Sequence, residues 1–155
     1  MEVMQISLSS NSAEQTQSIA QKIGAQLRGG EVVELISDLG GGKTTFTAGL
    51  ALGAGSPDHV ASPTFTISRV YGAPKFDIHH FDLYRLQQAG LATNELGELI
   101  GDPAIVVVAE WADVVSSVLP ERRVAIAIRR TPEETGRIIE LTYPEDMAYI
   151  VENVC

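Results

Sequence analysis

The run Ser37-Asp38-Leu39-Gly40-Gly41-Gly42-Lys43-Thr44-Thr45 holds the residue types that a nucleotide phosphate requires. Glycines lack a Cβ, so successive backbone N–H groups can close around phosphate oxygens, and a helix opening at Lys43 aims the positive end of its dipole at the same charge. Lys43 is placed to reach the terminal phosphates, and Thr44 to offer its hydroxyl to Mg²⁺. The pattern Gly-x-x-x-x-Gly-Lys-Ser/Thr has glycine where this chain has Ser37. If that position needs a positive φ, serine there costs on the order of 1 kcal/mol of strain. A ligand-free glycine turn is the plainer alternative. Against it stand the apolar strand Val32-Val33-Glu34-Leu35-Ile36 in front and the Ala/Leu-rich stretch behind.

Three further segments bear on the same chemistry. Ile105-Val106-Val107-Val108-Ala109 is an apolar strand that ends in Glu110 and Trp111. Ligands of nucleotide-binding α/β domains sit beyond the carboxyl ends of strands, so Glu110 can hold Mg²⁺ directly or through water; the alternative is a surface carboxylate that ends a strand. Trp111 is expected to pack in the core rather than touch a ligand. In Ser62-Pro63-Thr64-Phe65-Thr66, proline restrains the backbone to extended geometry, and a hydroxyl there can meet a γ-phosphate or its metal as switch threonines do. His79-His80-Phe81-Asp82-Leu83-Tyr84-Arg85 is polar for a strand. Its adjacent histidines point to opposite faces, which argues against a zinc site. Alternation puts His80, Asp82 and Tyr84 on one face, but Phe76 and Ile78 upstream break the parity, so either a bulge or burial on both faces is required.

The elements that must position these residues follow from periodicity and punctuation. A strand is expected over 4–8, then a helix from a capping box at Ser12 and Gln15 to about residue 27, with Ile19, Ala20, Ile23 and Leu27 at helical spacing. Gly29-Gly30 ends it. A strand over 32–36 and a helix over 43–52, stopped by Gly53 and Gly55, come next. The β-branched and aromatic run 64–71, the turn Gly72-Ala73-Pro74 and the run from Phe76 read as a hairpin. Helices over 94–100 and 112–118 and strands over 105–109, 124–129 and 137–143 complete an α/β domain, with a central mixed, partly parallel sheet flanked by helices.

Composition narrows the function. At 155 residues the chain is one ordinary domain that can bury about 70% of its unfolded surface. The sequence has no stretch of about 18 apolar residues and no signal-peptide pattern near its start, so a cytoplasmic protein that spans no membrane is expected. Its only cysteine is Cys155, which excludes an internal disulfide. Twenty acids against eleven bases give a net charge of −9, which repels a bare nucleic-acid backbone. Arg122, Arg123, Arg129 and Arg130 flank the strand 124–128, either as solvated strand ends or as a docking patch for an acidic partner.

Taken in order, the glycine loop, Ser62-Pro63-Thr64-Phe65, His80-Phe81-Asp82-Leu83-Tyr84-Arg85 and Glu110-Trp111 closely resemble the TsaE (YjeE) family of small P-loop ATPases, which serve tRNA threonylcarbamoyladenosine synthesis. The resemblance implies a P-loop NTPase-like domain binding ATP through residues 37–45, with Mg²⁺ held by Thr44 and Glu110. Lys43, Asp82 and Glu110 are then the residues expected to carry hydrolysis, and 62–64 forms a switch-like loop. It further implies a residue near the N-terminus and a late basic residue beside the nucleotide base, for which Thr16 and Arg137 are the nearest candidates. Ser37, and Gly41 where the family often has alanine, depart from its pattern. The implied partners are TsaB and TsaD, which transfer the threonylcarbamoyl group; tRNA is then met through them, as an acidic chain requires. A small P-loop kinase and a non-catalytic nucleotide-binding protein are the rival readings. The first wants an arginine-rich lid that is not evident between Leu86 and Asp102.

Overall fold

Buried apolar runs punctuated by glycine set the architecture, seen in a computed structural model that describes residues 2–37, 42–60, 68–83, 90–111 and 118–154. The element order is β1 (Val3–Ser10), α1 (Ala13–Gln26), β2 (Val32–Ile36), α2 (Lys43–Gly53), β3 (Ser68–Gly72), β4 (Asp77–Asp82), α3 (Gly90–Leu99), β5 (Ile105–Glu110), β6 (Val124–Arg130) and β7 (Arg137–Pro144), closed by a 3₁₀ segment at Glu145–Val151. The strands form a seven-stranded sheet in the order β1-β7-β6-β2-β5-β4-β3. Its four central strands, β6, β2, β5 and β4, are parallel. β7 and β1 on one side and β3 on the other add antiparallel pairs. The expected mixed, partly parallel α/β sheet is what forms.

Both faces of the sheet are covered, which explains the near-continuous valine and isoleucine of its central strands. On one face Val33, Leu35, Val106, Val108 and Ile126 pack under α1, α2 and the 3₁₀ segment through Ile23, Phe46, Leu50 and Met147. On the other, Val32, Phe81, Val107 and Ala109 pack with Leu96 of α3 and with Leu119. The broken parity of β4 has the same cause. Ile78 and His80 are buried on the first face and Phe81 on the second, in unbroken register with β5, so no bulge is needed.

The ends of the elements agree with their local chemistry. Ser12 caps α1, its Oγ accepting from the Gln15 N–H at 3.0 Å, while the Gln15 side chain accepts from the Asn11 N–H at 2.8 Å instead of reaching back to Ser12. α2 ends at Gly53, one residue past the expected 52, and Gly55 at φ 89° makes the turn that follows. α3 begins four residues before the expected 94, and the helix expected over 112–118 lies, but for its last residue, outside the described residues. The four arginines around β6 do not gather. Arg122 pairs with Asp146, Arg123 with Glu34 and Arg129 with Glu140, at opposite ends of a seven-residue strand about 20 Å long. That favours the strand-end reading.

α1 and α2 cross backbone against backbone. A Cβ on Gly24 would collide with the Leu50 carbonyl, one on Gly49 with the Gln17 carbonyl and Ala20, and one on Gly53 with the Gln21 carbonyl. Gln17 with Gly49 and Gln21 with Gly53 advance together along both helices, and Ser12 and Thr16 line one cavity with Gly42 and Thr45, so the two N-termini lie at one end. Alanine is the better helix former by about 1 kcal/mol, but overpacking a tight contact costs about 1–3 kcal/mol. Gly49→Ala and Gly24→Ala are therefore each expected to lower stability by about 1–2 kcal/mol, against the sign of helix propensity. Urea unfolding measures this, and a stabilised Gly49→Ala chain would show the helices are not in contact there.

Candidate functional site

Parallel register collects the carboxyl ends of the central strands. Leu35 of β2 stands opposite Glu110 of β5, and Glu110 opposite Asp82 of β4, so two carboxylates lie abreast at the sheet end from which the chain passes into α2. This is the end where α/β domains place ligands. Asp38, Leu39, Gly40 and Gly41 lie outside the described residues, as do 61–67, which include Ser62 and Thr64, and Tyr84 and Arg85. The site can be built from what flanks them.

Gly42 is the N-cap residue of α2, with φ 107° and ψ 15°, a conformation open to glycine and strained for other residues. Gly42 has no side chain with which to cap the helix, and there is no acidic residue in its first turn. Its first backbone N–H groups thus have no carboxylate of their own helix to answer them. Lys43 follows with only 8% of its surface exposed. Its Nζ donates to the Ser37 carbonyl at 3.2 Å and lies 4.4 Å from the centroid of the Trp111 ring. Among the described residues it forms no ion pair. A nearly buried ammonium held by a carbonyl and a ring face is a cation for which an anion would be the natural partner. Thr44 is exposed and Thr45 half-buried on the same turn.

Two sequence expectations change here. Ser37 does not adopt a positive φ, so the anticipated strain at the missing glycine does not arise; its carbonyl instead receives Lys43. Trp111 does pack, half-buried, against the Phe81 and Leu83 side of the sheet. It is also the one non-glycine residue among those described with a positive φ, 57°, and it carries the lysine on its ring. Nothing in the sequence signals that turn.

Glu110 is 2% exposed, and its Oε2 meets Nε2 of the fully buried His80. Nδ1 of His80 in turn meets the Tyr71 hydroxyl at 3.1 Å. Reading the residues singly missed this chain, because its members come from three strands. Asp82 is half-buried beside it.

Thr16 and Arg137, distant in sequence, line one cavity of about 220 Å³ together with Gly42, Thr45, Ser12 and Thr135. Thr16 is buried and shares a 2.7 Å hydrogen bond with Ser10, and the Arg137 guanidinium donates to the Glu134 and Gly136 carbonyls. The cavity is smaller than the ~300–1,000 Å³ of a whole small-molecule site. Its size suits one part of a ligand whose remainder lies along the start of α2.

Known proteins are similar to this chain in sequence and fold. The family model for "Threonylcarbamoyl adenosine biosynthesis protein TsaE" matches residues 10–139. The tRNA threonylcarbamoyladenosine biosynthesis protein TsaE of Bacillus subtilis is 37% identical over 127 residues, covering 81% of this chain and 78% of that one. The protein of the same name from Treponema pallidum is 36% identical over 124 residues, covering 77% and 88%. The crystal structure of Bacillus subtilis YdiB superposes with a TM-score of 0.77 at 30% identity, covering 99% of this chain and 96% of that one.

The left-handed cap at Gly42 can be tested apart from any ligand. Among the described residues the nearest atom to an added Cβ is Ile128 Cγ2 at 4.0 Å, so backbone strain is what they set against a side chain. Gly42→Ala is expected to lose about 1–2 kcal/mol of stability in urea unfolding; no loss would mean that the start of α2 takes another geometry.

Proposed function

Because the chain belongs to the TsaE family, whose members are named for tRNA threonylcarbamoyladenosine biosynthesis, we propose that it is the Mg²⁺-dependent ATPase of that modification and acts with TsaB and TsaD. The observation that carries this reading is the nearly buried Lys43 ammonium, without a carboxylate partner among the described residues, at the N-terminus of α2. The residues fit the nucleotide. Lys43 and the N–H groups of α2 answer the phosphates, while Thr16 and Arg137 border the cavity suited to the nucleoside. Thr44 and Glu110 would hold Mg²⁺, which neutralises charge on the phosphates when bound. Asp82, abreast of Glu110 in the strand register, would orient the attacking water or a metal-bound one.

A hydrolysing site also needs positive charge on the transition state. The phosphate loop has one basic residue, Lys43. An arginine supplied from elsewhere contributes about 10³ to 10⁵ in rate, so completion by a partner is the economical arrangement. ATP hydrolysis then resets the assembly for repeated turnover, while TsaB and TsaD handle the threonylcarbamoyl group. Working in the cytoplasm and spanning no membrane, the chain meets tRNA through them, consistent with its net charge of −9. Among the described residues no helix is long and apolar enough to cross a membrane.

Two expected outcomes follow. Lys43→Ala should weaken ATP binding on the order of 10- to 100-fold, the worth of a charge-assisted hydrogen bond, with the fold intact by circular dichroism; parent affinity would refute the phosphate site. Phosphate release by the isolated chain should be slow and rise well above that rate when TsaB and TsaD are added together. Equal turnover with and without them would favour a self-sufficient NTPase.

A further inference from the structure

Tyr71, His80 and Glu110 form a diagonal line across β3, β4 and β5, and each of the three is no more than 2% exposed. The register makes the line. Tyr71 stands opposite Ile78 and His80 opposite Val108, so each member is two residues from its neighbour's partner and points to the same face. Hydrogen-bonding capacity gives the line a direction. An ionised carboxylate only accepts, so His80 Nε2 carries the proton toward Glu110. In the tautomer with its proton on Nε2, Nδ1 is an acceptor, and the Tyr71 hydroxyl donates to it.

From this the geometry points to His80 as a positioning residue for Glu110, with Tyr71 fixing the imidazole in turn. The bond occupies one carboxylate oxygen, and a carboxylate has two. Asp82 lies abreast on the neighbouring strand, and two adjacent carboxylates repel unless each is held. Carboxylates that ligate metals are hydrogen-bonded by residues behind them, and losing such a partner typically costs 10- to 100-fold in metal affinity. The assignment rests on the reading of Glu110 as a magnesium residue. A purely structural role is the competing explanation, although a buried polar pair can often be replaced by apolar groups of similar size without loss of stability.

Calorimetric titration of the full chain with a non-hydrolysable ATP analogue, at a series of Mg²⁺ concentrations, separates these. His80→Leu and Glu110→Gln should each raise the Mg²⁺ required for tight binding by about 10- to 100-fold, and His80→Leu should leave Mg²⁺-free affinity unchanged. Tyr71→Phe should shift it in the same direction by less. His80→Gln, whose amide nitrogen overlays Nε2, should restore most of the parent behaviour, whereas His80→Asn, whose amide nitrogen overlays Nδ1, should not. If His80→Leu fails to fold, the contrast between Gln and Asn decides, and equal Mg²⁺ dependence in the two overturns the proposal. A shift with Glu110→Gln but none with the His80 and Tyr71 variants also overturns it, while leaving Glu110 as a metal residue. No shift in any variant removes Glu110 from the metal site altogether.

Discussion

The close crossing of α1 and α2 is the contact from which the site's geometry follows. Glycines at 24, 49 and 53 let two backbones meet where any side chain would hold them apart. The two helices run in the same sense, so the capped start of α1, with Ser12 and Thr16, comes to lie beside the start of α2, with Gly42 and Thr45. The sheet beneath adds the third wall. β7 begins at Arg137, at the same end at which β2, β4 and β5 finish, because it is antiparallel to β6. One crossing thus joins the cavity to the helix N-terminus, and a ligand with an anionic end and a flat polar end fits that juxtaposition.

Electrostatic logic runs through the same place. The chain carries a large acidic excess, yet a lysine is nearly buried at the start of α2, where the described residues around it offer a carbonyl and a ring face. A cation in that setting is poised for an arriving anion, because water screens it poorly. On β5, the strand beside β2, a carboxylate is buried against a histidine. Among the described residues the lysine and this carboxylate do not cancel each other as a direct pair. Phosphate and divalent metal together would balance both.

Local signals in the sequence were enough for the site's scaffold. β2 falls on 32–36 as read, because five apolar or half-buried residues sit between paired glycines and the phosphate loop. The Gly42–Lys43 junction and the position of Glu110 at a strand end were legible for the same reason: glycine punctuation and apolar runs act over a few residues. Non-local consequences were not. The facing of His80 stayed open because a sheet buried on both sides erases the alternation that would report it. Its link to Tyr71 and Glu110 depends on strand order, which no window of sequence contains. The 3₁₀ segment at Glu145–Val151 has only Met147 and Ile150 turned inward and follows a proline, too short a pattern to mark a helix. Trp111's left-handed backbone runs against the preference of a residue with a side chain, so nothing local announces it.

The central claim is that ATP lies between the starts of the two helices, with its base against Thr16 and the 131–137 connection. Photolabelling with 8-azido-ATP, followed by peptide mapping, tests it directly because the azide sits on the base. The account predicts label in the peptides holding residues 12–16 or 131–137, lost when unmodified ATP competes. Label confined to the cavity lined by Val3, Arg123 and Tyr143, at the other end of β6 and β7, would contradict it.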